Sequence, residues 1–161
     1  MSVEQNKVLV RQAVDLIWNQ GDLSAVTNLY SPTYILHDPA NPRVKTIRDF
    51  EQFVTTFRRA FPDLQMVIEG QIGEGDFVVT RWGARGTHKG NLLGITPTDK
   101  HVMVTGITID LVQNHHIVES RVNWDVLSLF QQLGIAPVFG QQGLPIEAGT
   151  LNGFPSEMSS R

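Results

Sequence analysis

The period of the hydrophobic pattern changes near residue 64, and that change limits the folds open to this chain. Before it, apolar residues recur at helical spacing: Leu9, Ala13, Leu16 and Ile17, then Phe50, Val54, Phe57 and Phe61. After it come four β-rich segments, Leu64 to Ile72, Phe77 to Thr87, Val102 to Val112 and Ile117 to Asp125. Turn signals separate the first two (Gly73-Glu74-Gly75-Asp76) and the last two (Asn114-His115 within Gln113 to His116). Long strands joined by tight turns pair antiparallel. Helices followed by a meander and a last short helix, Val126 to Leu133 with a stop at Gly134, give an α+β class: one curved antiparallel sheet with helices on one face.

The helical part carries its own punctuation. Ser2 with Gln5, and Thr46 with Asp49, have the spacing of capping boxes. Asn19-Gln20-Gly21 stops the first helix, and Asp22 caps a short second one carrying Leu23, Val26 and Leu29, which Ser31-Pro32 ends. Tyr34 to His37 reads as a short strand, and Asp38-Pro39-Ala40-Asn41-Pro42 as a loop, because each proline restricts the residue before it. Pro62 closes the third helix. At 161 residues the chain suits one domain, placed at 1–136; from Pro137 periodicity disappears, and 137–161 reads as a tail.

Composition excludes several functions. The net charge is −3 with acids and bases interspersed, so no basic stripe points to nucleic acid. There is no cysteine, which removes disulfides, thiolate catalysis and cysteine-metal sites and fits a reducing cytoplasm. The N-terminus has no basic region leading into an apolar core, so no signal peptide is expected, and no apolar run is long enough to cross a bilayer. Neighbouring His115 and His116 would point to opposite faces of a strand and lack partners at ligand spacing, so no built-in metal site is expected. No Gly-x-Ser-x-Gly elbow is present.

The most informative local stretch is Arg121-Val122-Asn123-Trp124-Asp125-Val126-Leu127. Alternation puts Arg121, Asn123 and Asp125 on one face and Val122 and Trp124 on the other. A polar triple on a covered face would line a pocket, and Asp125 would be its acid/base. Two other readings stand beside this one: Asp125 as N-cap of the helix beginning at Val126, and Asp125 in a salt bridge to Arg121. His37 ends an apolar strand, where it can meet a substrate carbonyl or anchor the loop. His88 sits at a hairpin edge, near a pocket mouth or in solvent. Trp18, Phe53, Phe57, Trp82 and Trp124 are core or cavity-lining aromatics suited to stacking on a flat ligand. Gly106 inside a strand marks a bend or the close approach of a ligand. Arg81 and Arg85 can neutralise Glu69 or Glu119 across the sheet.

Several stretches in order resemble a known family: Trp18-Asn19-Gln20-Gly21-Asp22, His37-Asp38-Pro39, Phe57-Arg58-Arg59-Ala60-Phe61-Pro62-Asp63, Gly86-Thr87-His88-Lys89-Gly90, Gly94-Ile95-Thr96-Pro97-Thr98, and Asn123-Trp124-Asp125 followed by Gln132-Leu133-Gly134. The set resembles the SnoaL-like polyketide cyclases, or ester cyclases, of the NTF2-like (cystatin-like) cone folds, relatives of ketosteroid isomerase, over residues 5 to 135. Asp99 and Asn114-His115 depart from the family's glycines. The resemblance implies a deep pocket between sheet and helices, and a small apolar or aromatic carbonyl substrate. It also implies cofactor-free intramolecular aldol closure of an aromatic polyketide ester, with the family's acid/base aspartate at Asp125 and its pocket histidine at His37. Asn123 would then bond the enolate oxygen or orient Asp125. The competing expectations are a non-catalytic binder of small apolar ligands, a related isomerase or epoxide hydrolase, and an assembly module that pairs through its sheet. A homodimer or higher homo-oligomer is compatible with each, because a long sheet with an apolar outer face needs covering.

Overall fold

The computed structural model describes residues 1–136; the segment read as a tail, 137–161, lies outside them. Four α-helices and five strands occur in the order α1 (Val3–Ala13), α2 (Val26–Leu29), β1 (Tyr30–His37), α3 (Ile47–Ala60), β2 (Gln65–Glu74), β3 (Phe77–Thr87), β4 (His101–Gln113), β5 (His116–Trp124) and α4 (Val126–Gln132). This is the mixed α+β pattern that the change of period predicts. Among the described residues, no helix is long and apolar enough to cross a membrane.

Both long helices begin where the sequence places them. Ser2 and Gln5 exchange capping bonds at α1, and Thr46 and Asp49 do so at α3, satisfying amides that have no intrahelical acceptor. The end of α1 widens into a π-helical turn, Val14–Asn19, and Gly21 then turns the chain at φ +72°. The Arg58 guanidinium of α3 donates to the carbonyls of Trp18 and Asn19, which no helical amide reaches. The Asn19 side chain pairs with both backbone groups of Met66, at 2.7 and 3.1 Å, and so ties this turn to β2. The Trp-Asn-Gln-Gly-Asp stretch is therefore a structural joint.

The sheet order is β1-β5-β4-β3-β2. Strands β2 to β5 form an antiparallel meander, turning at Gly75-Asp76 and at Asn114-His115. Asn114 and His115 both hold positive φ (49° and 65°), as a two-residue hairpin whose twist matches its strands requires. β1 adds at the edge and runs parallel to β5, because α3 and the meander carry the chain away before it returns. β1 also starts four residues earlier than the sequence reading puts it. Pro32 lies inside it, exposed on an edge strand where the pairing with β5 shifts register, so its missing amide removes no ladder bond.

The helices pack on one face of this sheet: α1 over β2 and β3, α3 over β1. The covered face carries Thr80, Trp82, Val102, Val104, Asp110, Ser120 and Val122; the open face carries Arg81, Met103, Ile107, Ile109, Arg121 and Asn123. Two buried clusters result. One, around Val10, Ile17, Val26, Phe50 and Val54, joins the first helices to β1; the other, around Ala60, Phe61, Leu92 and Leu129, joins the end of α3 to the loop before β4 and to α4.

Candidate functional site

Between sheet and helices lies a cavity of about 140 Å³ with an almost wholly apolar wall. The helices give it Trp18, Phe50, Phe53, Phe57 and Phe61, because the i, i+3, i+4 spacing of α3 aims these rings at the sheet. The sheet gives it Tyr30, Tyr34, Trp82 and Trp124. Edge-on ring contacts, Phe50 with Tyr34 at 5.7 Å and Phe57 with Trp124 at 5.8 Å, join the two sides. The sequence expectations for Trp18, Phe53, Phe57 and Trp82 thus fall on residues that line one space.

Gly106 lies beneath this wall. It is the register partner of Trp82 on one side and Trp124 on the other. A Cβ there would overlap the Trp82 ring and approach Trp124 Cβ to 2.8 Å, so glycine is what lets the Trp82 indole lie over β4 beside the Trp124 side chain. Each indole is also pinned. Trp82 Nε1–H donates to Thr108 at 2.9 Å, and Trp124 Nε1–H to Asp38 Oδ2 at 3.2 Å.

Two carboxylates reach the cavity. Asp38, buried at the end of β1, accepts from the Trp124 indole, the Ala40 amide and the Asn41 side chain. All three are N–H donors, so its oxygens act as acceptors only. Asp110, on β4, is 5 % exposed, and its Oδ1 accepts from the Ser120 hydroxyl at 2.5 Å. Burial pushes the Asp110 carboxyl up to about 7, and the Ser120 hydrogen bond opposes that rise. Burial also holds the Tyr30 and Tyr34 phenols well above their ordinary range, so both stay protonated at neutral pH. The cavity thus holds one carboxyl poised between its charge states, beside two neutral phenols and a hydroxyl. Among the described residues, no three metal-ligating side chains converge.

The remaining sequence candidates lie elsewhere. Asp125 is exposed and outside the cavity: it is the N-cap of α4, accepting from the Ser128 amide at 2.9 Å. Arg121 and Asn123 share its outward face, and Val122 and Trp124 face inward instead. The alternation is as expected, but the covered side is the opposite one, because the helices lie over the apolar partners and leave the polar triple in water. His37 likewise points outward, half exposed, 3.1 Å from Glu119, and Glu119 pairs also with Arg121. Arg81 pairs with Glu69 at 2.9 Å, and Arg85 holds Gln65. His88 corrects the solvent-edge reading, since it is fully buried. Its Nδ1 accepts from the Thr98 amide at 3.2 Å and its ring packs on Phe61, so it clasps the loop before β4 and does not line the cavity.

The sequence reading missed Asp38, Asp110, Ser120 and both tyrosines as site residues. For Asp110 the faint signal is a lone acid in an apolar strand, Ile109-Asp110-Leu111-Val112. Both faces of β4 carry apolar residues, Val102 and Val104 inside, Ile107 and Ile109 outside, so alternation could not say which way Asp110 points.

Solved structures repeat this architecture. AclR of Streptomyces galilaeus, a candidate hydroxylase, is 25% identical with a TM-score of 0.78, over 88% of this chain and 92% of its own. A candidate polyketide cyclase from Acidithiobacillus ferrooxidans is 30% identical with a TM-score of 0.74, over 85% of this chain and 100% of its own. IdmH of Streptomyces antibioticus, another candidate polyketide cyclase, is 25% identical with a TM-score of 0.73, over 81% of this chain and 99% of its own. Curated protein sequences gave no match. The family model for SnoaL-like polyketide cyclases matches residues 8–133, from within α1 to the end of α4, and so takes in the sheet and the whole cavity wall. The chain belongs to the SnoaL-like polyketide cyclase family.

Proposed function

We propose that this protein closes a ring in an uncharged aromatic polyketide-like ester by intramolecular aldol addition, with Asp110 as the acid/base. The observation that carries the proposal is a buried carboxyl, held near neutrality, in a cavity walled by aromatic rings. A carbon between two carbonyls, conjugated to an aromatic system, is already acidic, and a base with a pKa near 7 is matched to it at physiological pH. Ionised Asp110 takes that proton: the C–H bond breaks, an O–H bond forms on the carboxyl, and the electron pair passes to the enolate. The enolate carbon bonds to a ring carbonyl carbon, and the resulting alkoxide recovers the proton from Asp110. The Tyr30 and Tyr34 phenols, kept neutral by burial, supply hydrogen-bond donors at the cavity wall for the developing oxyanion. Trp82 and Trp124, fixed by Thr108 and Asp38, give a flat ring a surface to lie on.

The test is to incubate the protein, Asp110→Asn and Asp125→Asn with a panel of anthraquinone-type β-keto esters and to follow loss of open-chain ester against ring product. Asp110→Asn should lose turnover by about 10²- to 10⁴-fold, the range for a removed acid/base, and Asp125→Asn should keep it. Full turnover in folded Asp110→Asn would overturn the assignment. Saturable quenching of tryptophan fluorescence by these esters, with no product from any of them, would favour a ligand-binding protein, since all three tryptophans line the cavity.

A further inference from the structure

We propose that Ser120 is a positioning residue that occupies one oxygen of Asp110 and so decides which oxygen exchanges the proton. The inference rests on Asp110 as acid/base and adds how its side chain is held and tuned. Asp110 and Ser120 are register partners on β4 and β5, both inward and both nearly sealed from solvent. A serine hydroxyl carries one proton, and here it is given to Asp110 Oδ1. Among the described residues no hydrogen bond is made to Oδ2, while Asp110 itself lines the cavity. Protonation and proton delivery therefore belong to Oδ2, and the carboxyl plane is set by the β4–β5 register, not by a loop.

The surroundings leave this serine without a substitute. The titratable groups facing the cavity are Tyr30 and Tyr34 on β1 and Asp38 in the loop after it; α1 and α3 present only apolar and aromatic side chains. Arg85 lies at the rim with its guanidinium on Gln65. Among the described residues no cation therefore offsets the burial of Asp110, and the Ser120 hydroxyl is the group that favours its charged form.

The test reads the carboxyl directly. Carboxyl-¹³C aspartate NMR titrations of the wild-type protein, with Asp110→Asn to assign the signal, should show Asp110 titrating near 7. In Ser120→Ala the midpoint should rise by about one to two pH units, the size expected when a hydrogen bond to a charged group is lost. Ser120→Thr, which restores a hydroxyl, should bring it back. If the alanine variant does not fold, Ser120→Cys keeps the volume with a weaker donor and should move the midpoint in the same direction. An unmoved midpoint in the folded variant overturns the role of Ser120, and it does so even if Asp110→Asn abolishes cyclisation. A shifted midpoint with no cyclisation of any ester would instead sustain the positioning and remove the proposed reaction. Where an ester is turned over, the acid limb of the rate profile should move with the midpoint, which a merely structural serine would not produce.

Discussion

Asp125 and Asp110 both stand among apolar neighbours in sequence, yet one faces water and the other an apolar cavity. Local sequence identifies Asp125 as a good cap, and the structure uses it as one. Replacing it with alanine should cost about 1 kcal/mol, the ordinary value of an N-cap. Thermal unfolding should register that as a few degrees' fall in melting temperature, with cyclisation unaffected. Loss of turnover at unchanged stability would return the acid/base role to Asp125. Asp110 gives no comparable local signal. Its burial comes from what covers it: α3 and β1, distant along the chain, and Ser120, across the β4–β5 hairpin. His88 makes the same point in reverse: a glycine-rich hairpin motif suggests exposure, and the tertiary loop buries it.

At the scale of elements, the most demanding strand is β4. It must pair on both sides, carry Asp110 inward, and let the Trp82 indole lie over Gly106 beside Trp124. Its glycine is legible as an oddity in a strand, but the side chains it accommodates come from β3 and β5. Gly106→Ala should be destabilising by roughly 1–3 kcal/mol, the range for forcing extra atoms into a packed site. Urea unfolding would measure the cost, and a shift of tryptophan emission would report displacement of Trp82. Wild-type stability and emission would show that the shelf has room to spare. The helices are better written in the sequence, since their caps, faces and stops are local: Ser2, Thr46, Phe50 and Gly21 sit where propensity and periodicity place them.

For the whole molecule, the buried carboxyl imposes a pH dependence. The folded pKa of Asp110 is raised from 3.8 to about 7, so the native state holds a proton that the unfolded chain gives up. Its contribution is therefore most favourable below about 4, declines as pH rises through 7, and is constant above that. Asp49 and Asp63, neither of them buried, act oppositely. Amides and hydroxyls, of Thr46 and Lys45 for Asp49 and of Thr87 for Asp63, hold their carboxyls below the ordinary range, so their support is lost as pH falls through those lowered values. Asp110→Asn should thus gain stability on the wild type as pH rises from 4 to 8, by up to about 4 kcal/mol from the linkage relation. Urea titrations of both proteins across that range would check it. A difference independent of pH would show that Asp110 is not desolvated in the native state.

The sequence by itself determined the class of fold and the positions of its elements, because capping, turn chemistry and hydrophobic period act between residues close along the chain. It marked the aromatic residues of α3 as one face, and the family motifs as a set in order. Tertiary structure decided which side of the sheet the helices cover, and with it which aspartate is buried. Alternation fixes that Asp125 and Val122 point opposite ways, but it is symmetric about the sheet plane. Only helix packing breaks that symmetry, sending Asp125 to water and Asp110, with Ser120, to the cavity.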